Sequence, residues 1–421
     1  MRFEHYLNQE CRLALGCTEP ACIAYAASNA ARLVPGTVRR VRLVCDPRIY
    51  KNCYAVGIPH SEHRTGIKWA LAIGALLPDP SLKLECFRQT TPEILTEAGR
   101  LVEEGRVEVE VDMGRERLWV DCTVETDGGL GRAVVEGAHT HLTVLQRNGE
   151  PVPFDAEPAC SSTERVGLEL AKMSFEDLVA LARSISHEDR RRLREGAELN
   201  LAISRHGLSL FPAPFRMRMG DDISRSSRLV CAGVYARMCG EDFVVMSVAG
   251  SGNKGIVCTV PLLVWGREIA ALEEEIDEAM ALACLVTTLT TEYLGTLSAV
   301  CGCSNAAGMG LAAGLVLLEG GGAGEISLAI NNMVGNVTGM VCDGAKMGCA
   351  LKTMTAVDAA FRAATLAMCG VGIPVSDGIV GPDGFASLRN MGQIAIQGMT
   401  QVDQEILRIM VEKMAGAWKP G

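Results

Sequence analysis

Cys301-Gly302-Cys303-Ser304-Asn305-Ala306-Ala307-Gly308 opens a segment that Cys342-Asp343-Gly344-Ala345-Lys346-Met347-Gly348-Cys349-Ala350-Leu351-Lys352 closes. Residues 298–352, which span the two motifs, are mostly apolar and rich in glycine and alanine. Small residues let backbones approach one another, as a buried cofactor pocket requires. The thiols at the two ends are soft donors of the kind that selects zinc, copper(I) or an iron–sulfur cluster. The segment is therefore expected to fold back on itself, with Cys17 joining the two ends from near the N-terminus.

The chain has 421 residues, enough for two or three domains. Apolar residues make up 48%, so a large core forms without staples. With 45 glycines and only 5% aromatics, tight helix packing is favoured over an aromatic-rich β-sandwich. A net charge of −10 lacks the basic footprint of a nucleic-acid binder, so no nucleic-acid partner is expected. The start, Met1-Arg2-Phe3-Glu4-His5, has no apolar leader core. A cytoplasmic setting is expected, where the 17 cysteines stay reduced and serve metals or catalysis. Cys86, Cys122, Cys231 and Cys284 sit in apolar or strand-like runs and read as core thiols. The longest apolar runs, 256–265 and 311–318, fall short of the ~20 residues of a membrane span.

Residues 2–34 read as helical, interrupted at Gly16-Cys17-Thr18-Glu19-Pro20, where Pro20 suits a first helical turn and Thr18 or Glu19 its start. Cys17 would then face the positive end of a helix, which favours a thiolate. From residue 38 the period changes. The runs 38–45, 107–111, 118–124 and 133–146 alternate as strands do, with turn signals at Asp127-Gly128-Gly129 and Asn148-Gly149. Helices are expected over 67–77 and 92–104. The fold class is thus α+β: a mainly helical catalytic domain (1–35 and 156–421) with a smaller inserted α/β domain (36–155). The pairs His60/His63 and His139/His141 lack a third ligand at a recognisable spacing and read as polar surface or strand positions.

Beyond residue 158 the pattern is helical again, over 174–185, 187–204 (Ser186 as N-cap), 224–236, a long run 260–291 broken near Gly266, and 400–415. Ala249-Gly250-Ser251-Gly252-Asn253-Lys254-Gly255 is a small-residue loop whose amides suit an anion such as a carboxylate. It lacks the Gly-Lys-Ser/Thr ending of a phosphate loop. Ile330-Asn331-Asn332-Met333-Val334-Gly335-Asn336 reads either as amides brought near the cysteines or as a polar turn between helices.

Through these motifs, Gly16-Cys17-Thr18-Glu19-Pro20, Ser251-Gly252-Asn253-Lys254-Gly255, Cys301-Gly302-Cys303 and Cys342-Asp343-Gly344-Ala345-Lys346, the chain resembles the iron–sulfur L-cysteine desulfidases. These are similar to the alpha part of bacterial iron–sulfur L-serine dehydratases. The likeness spans nearly the whole chain, with the motifs in the family's order. It implies a 4Fe–4S cluster on three cysteines with one iron open to substrate. Carried over, the ligands are Cys17, Cys342 and either Cys303 or Cys301. Cys303 is favoured by the run Cys303-Ser304-Asn305-Ala306-Ala307, and Cys349 is a reserve. The family's loop more often carries Gln or His where Lys254 stands here.

The implied activity is β-elimination of L-cysteine to sulfide, ammonia and pyruvate, with L-serine dehydration as the alternative. Ser251, Gly252 and Asn253, assisted by Asn332 or Asn336, would hold the substrate carboxylate. Lys254, Lys346 and Glu19 are candidate bases. A pyridoxal-phosphate eliminase using Lys254 or Lys346, and a structural iron–sulfur or zinc protein, are the competing classes. The partner expected is a small amino acid. A homodimer is compatible with the sequence but not fixed by it.

Overall fold

The computed structural model describes residues 1–115, 117–154, 166–213, 215, 222–295 and 298–414. The expected domain junction at 155/156 and residue 415 lie outside the described residues. The fold is α+β, mainly helical, with one mixed six-stranded sheet.

The chain opens with α1 (Phe3–Glu10), β1 (Cys11–Leu15) and α2 (Thr18–Arg32). The expectation of a helix over the first of these stretches fails at β1. Cys11 to Leu15 pair antiparallel with β8 (Val244–Val248), Cys11 opposite Val248 and Leu15 opposite Val244. Tertiary pairing overrides a weak local helical pattern here.

The sheet runs β3-β2-β4-β5-β6-β7, built from β2 (Val38–Cys45), β3 (Val107–Val111), β4 (Trp119–Thr126), β5 (Gly129–Glu136), β6 (Leu142–Arg147) and β7 (Glu150–Pro151). Strand β2 is parallel to β3 and antiparallel to β4. The alternation seen in the sequence is the burial pattern: Val38, Val41, Leu43 and Cys45 point inward. On the outer face Arg42 meets Glu110 at 2.6 Å, and Arg39 meets Asp127 at 2.6 Å. The run 133–146 is two strands, because the chain turns at Gly137. Helices α3 (Pro47–Cys53), α4 (Ile67–Leu76) and α5 (Pro92–Glu103) accompany the sheet. Helix α2, ahead of residue 36, contributes Ala21, Ile23, Ala24 and Ala27 to the same core.

The larger core is helical. It contains α6 (Val166–Leu170), α7 (Phe175–Arg183), α8 (His187–Leu210), α9 (Asp222–Cys239), α10 (Gly252–Glu268), α11 (Glu273–Leu294), α12 (Asn305–Leu318), α13 (Ala323–Val337), α14 (Cys349–Met368) and α15 (Gly384–Gln393). The long apolar run does break, between α10 and α11 at 269–272. Every residue of α12 is buried. Its Gly310 lies against α11 so closely that a Cβ would stand 2.3 Å from the Ala283 carbonyl oxygen. This is the close helix contact that the small-residue composition implies. The last helix, α16 (Thr400–Met414), returns to the smaller core through Leu407 and Met410.

One buried amide ties three elements of the helical part. Asn200 on α8 is fully buried. Its Nδ2 donates to the Met246 carbonyl at 3.2 Å and to Thr259 Oγ1 at 3.1 Å, and its Oδ1 accepts from the Met246 amide at 2.9 Å. Asn200→Ala leaves an orphaned strand amide and carbonyl, at a cost of about 3 kcal/mol. A melting temperature lower by roughly 5 °C or more is expected; an unchanged one would show that this amide is not the tie.

Candidate active site

Four chain segments converge on one place. Cys17 is the N-cap of α2, as the sequence suggested, with extended φ/ψ and no side-chain capping bond of its own. Ser251 is the N-cap of α10. The turn 301–304 leads into α12, and 342–348 leads into α14. The last two are joined by an antiparallel bridge between Val300 and Val341. The Cys301 amide donates to Met340 O at 2.8 Å and the Cys342 amide to Ala299 O at 2.6 Å. The two ends of 298–352 thus come together as expected. Gly344, at φ +90°, lets Lys51 of α3 in: a Cβ there would lie 2.0 Å from the Lys51 carbonyl oxygen. Lys51 itself is buried and ion-paired with Asp403 of α16.

The thiols differ in character. Burial pushes Cys17 up from its ordinary range, and Arg237 opposes this. Cys303 is the exception: hydrogen bonding with Cys301 pulls it below the ordinary thiol range, against burial, with Lys254 and Ser251 acting in the same direction. Its Sγ lies 3.5 Å from Ser251 Oγ. Cys301 is raised, first by its bond with Cys303 and then by burial, and its Sγ contacts Ser304 Oγ at 3.4 Å. Burial raises Cys342 and holds Cys349 at about 12. Cys349 Sγ donates to Gly344 O at 3.4 Å.

Among the candidate bases, Lys254 stands in the site. Its Nζ donates to Ala249 O at 3.1 Å and Thr291 Oγ1 at 3.0 Å. A Cβ on Gly302 would lie 3.3 Å from its Cε. Burial lowers its pKa, with Cys303 and Glu10 opposing. Lys346 is held by Asp343, at 3.0 Å from Oδ2, and Lys352 shares that carboxylate. Glu19 accepts from Asn52 Nδ2 at 2.9 Å and Thr18 Oγ1 at 3.2 Å. Burial works to raise its carboxyl, but His139, its own amide, Asn52 and Thr18 together hold it below the usual range.

Not every candidate arrives at the thiols. Asn332 lies inside α13, not in a turn. Its Nδ2 donates to Val371 O at 3.1 Å and its Oδ1 accepts from the Ile373 amide at 2.9 Å, so it fastens the loop after α14. Asn336 is exposed in the last turn of the same helix. His60 meets Asp242 at 2.6 Å and His63 meets Glu241 at 3.6 Å, while His141 Nδ1 lies 2.8 Å from Glu136 O. A cleft of about 770 Å³ lies apart from the thiols, lined by His187, Arg190, Arg194, Glu198 and Glu273. Its arginines already have carboxylate partners: Arg190 pairs with Glu278 at 2.8 Å and Arg194 with Asp277 at 2.5 Å.

Sequence reasoning missed Arg237. It lies in α9, 5% exposed, and bonds Gly16 O at 2.6 Å, Cys17 Sγ at 3.4 Å and Asn253 Oδ1 at 3.1 Å. Nothing in Tyr235-Ala236-Arg237-Met238-Cys239 marks it out from an ordinary helical arginine.

Among the described residues, no three Cys, His, Asp or Glu side chains stand together at metal-ligand spacing. The donor chemistry nonetheless fits a cluster. The candidate donors are soft thiols, and hydrogen bonding with Cys301 pulls one of them, Cys303, below the ordinary thiol range. In metal-free protein, iodoacetamide should modify Cys303 ahead of Cys301 and Cys349, as peptide mapping would read. Equal labelling of the three would contradict this ordering of the thiols.

A family described as serine dehydratase alpha chain matches residues 89–408. A UPF0597 protein of Geobacter sulfurreducens is 35% identical over 98% of this chain and 98% of its own length. Another, from Desulfotalea psychrophila, is 36% identical over 97% of this chain and 98% of its own. One from Clostridium botulinum is 31% identical over 96% and 97%.

Proposed function

The chain belongs to the serine dehydratase alpha-chain family and is a serine dehydratase-like lyase; on that premise we propose that it eliminates sulfide from L-cysteine at a 4Fe–4S cluster. The observation that carries the proposal is the linkage of the cysteine-bearing segments: Arg237 bonds both Cys17 and Asn253, Ser251 meets Cys303 beside Lys254, and the turns at 301 and 342 are bridged to one another. Cys17, Cys303 and Cys342 would hold the cluster, with Cys301 the alternative to Cys303 and Cys349 the reserve. Bound there, a cluster with one open iron supplies a soft Lewis acid for the β-substituent.

The chain's own residues supply the rest. The first turn of α10 offers free amides to the substrate carboxylate. Lys254 is the base for the Cα proton. Its burial lowers the share of the charged form, and it has no carboxylate partner among the described residues. Lys346 is less suited, being held at Asp343, and Glu19 is a weak base because its carboxyl sits below the usual range. Proton transfer to Lys254 Nζ and departure of hydrosulfide leave aminoacrylate. Its hydrolysis gives pyruvate and ammonia. Hydrosulfide leaves more readily than hydroxide, which favours cysteine; the family description favours serine as the second reading. We assign the protein to the cytoplasm, where such thiols stay reduced. Among the described residues, no helix is long and apolar enough to cross a membrane.

Anaerobically prepared Cys17→Ala, Cys303→Ala and Cys342→Ala should each lose iron and pyruvate formation together. Retention of both by all three would end the proposal. Sulfide and pyruvate from L-cysteine at higher kcat/KM than pyruvate from L-serine is the expected substrate order, and the reverse order makes the protein a serine dehydratase.

Lys254→Met should keep its iron but turn over roughly 10²–10⁴-fold more slowly. In the wild type, kcat/KM should rise with pH as Lys254 deprotonates, through a pKa below the ordinary lysine value, since the base acts in its neutral form. A variant as fast as wild type would remove Lys254 from the role.

A further inference from the structure

Arg237 is a buried cation. Its acceptors are a carbonyl, an amide oxygen and a thiol sulfur, and no carboxylate pairs with it among the described residues. Burying a guanidinium is costly unless an anion compensates it. Among the described residues its Nε has no hydrogen-bond partner.

That Nε faces the start of α10. A Cβ on Gly252 would stand 2.5 Å from it, so only glycine fits between Ser251 and Asn253. Helix α10 is 17 residues long, its N-cap Ser251 makes no side-chain capping bond, and its first turn carries no acidic residue. The first amides of a helix have no intrahelical acceptors and carry partial positive charge. An orphaned guanidinium N–H and an uncapped helix N-terminus therefore meet where, among the described residues, no carboxylate pairs with either. Gly250 is exposed and Ser251 half-buried at the rim of this place, while Gly252 and Asn253 lie behind it.

We propose that Arg237 and the first amides of α10 form the seat of the α-carboxylate of the amino-acid substrate. This makes Arg237 the residue that requires a carboxylate on whatever is turned over. A small amino acid held there by its carboxylate lies beside Ser251, whose Oγ is 3.5 Å from Cys303 Sγ. Arg237 also fixes the loop that bears Cys17, so one guanidinium sets the substrate seat and a candidate ligand in register. The identity of the ligand as an amino acid rests on the lyase reading; the anion seat does not.

The test uses Arg237→Gln and Arg237→Lys in anaerobically reconstituted protein matched for iron content. Arg237→Gln should raise KM for the amino acid by roughly 10- to 100-fold, more than it lowers kcat, as expected when a charge-assisted pair is lost. Arg237→Lys keeps the charge but not the Nε–H and should recover part of the loss. In iron-free wild type, L-serine should raise the melting temperature while ethanolamine, which lacks the carboxylate, does not. Arg237→Gln should abolish that difference. If Arg237→Gln does not fold, Arg237→Lys carries both readouts.

Wild-type KM together with an undiminished serine–ethanolamine difference in a folded variant overturns the proposal, even if the wild type is an active lyase. Wild type that forms no pyruvate from either amino acid, yet is stabilised by L-serine through Arg237, leaves the seat standing and removes the lyase reading.

Discussion

The site depends on one buried guanidinium. Arg237 reaches from α9 to Gly16 O and Cys17 Sγ on one segment and to Asn253 Oδ1 on another far from it in sequence. Among the described residues, this guanidinium ties the start of α2 to the start of α10. Each of these helices opens toward the same wall with its N-terminus: Cys17 caps one and Ser251 the other. Two helix N-termini and a guanidinium put partial positive charge on this wall, which suits an anion and opposes the burial that raises Cys17. Helix α12, which the turn 301–304 leads into, is buried throughout and packs on α11 with Gly310 against Ala283 O.

The smaller, sheet-bearing core completes the wall as well as attaching to it. Helix α2 carries Cys17 at its N-terminus and buries its alanines against the sheet. Lys51 of α3 presents its carbonyl to Gly344, two residues from Cys342, while its ammonium is held by Asp403 of α16. Asn52 of the same helix donates to Glu19. Segments from both ends of the chain thus bear on the loop 342–348.

The meeting of the two cysteine-bearing ends was legible because Cys301-Gly302-Cys303 and Cys342-Asp343-Gly344 are local patterns of thiols and small residues. The strands were legible for a similar reason, since Val38, Val41, Leu43 and Cys45 alternate with arginines along one strand. Strand β1 was not, because Cys11 to Leu15 become a strand only when β8 arrives from more than 200 residues away. Arg237 was invisible on the same ground: its meaning lies in acceptors on two other segments, one of them some 220 residues away. Asn332 misled, since a buried amide serves a loop such as 370–373 as readily as a substrate. Of the histidine pairs, His60, His63 and His141 have carboxylate or carbonyl partners within the chain.

The central claim is that this wall of thiols carries an iron–sulfur cluster with an iron open to substrate. The direct measurement is iron and acid-labile sulfide content together with the absorption spectrum of anaerobically reconstituted protein, before and after L-cysteine is added. About four irons and four sulfides per chain are expected, with a broad visible absorption that shifts on substrate addition. Protein that remains colourless and iron-free after reconstitution would contradict the claim and leave Cys17, Cys303 and Cys342 as thiols of an unloaded wall.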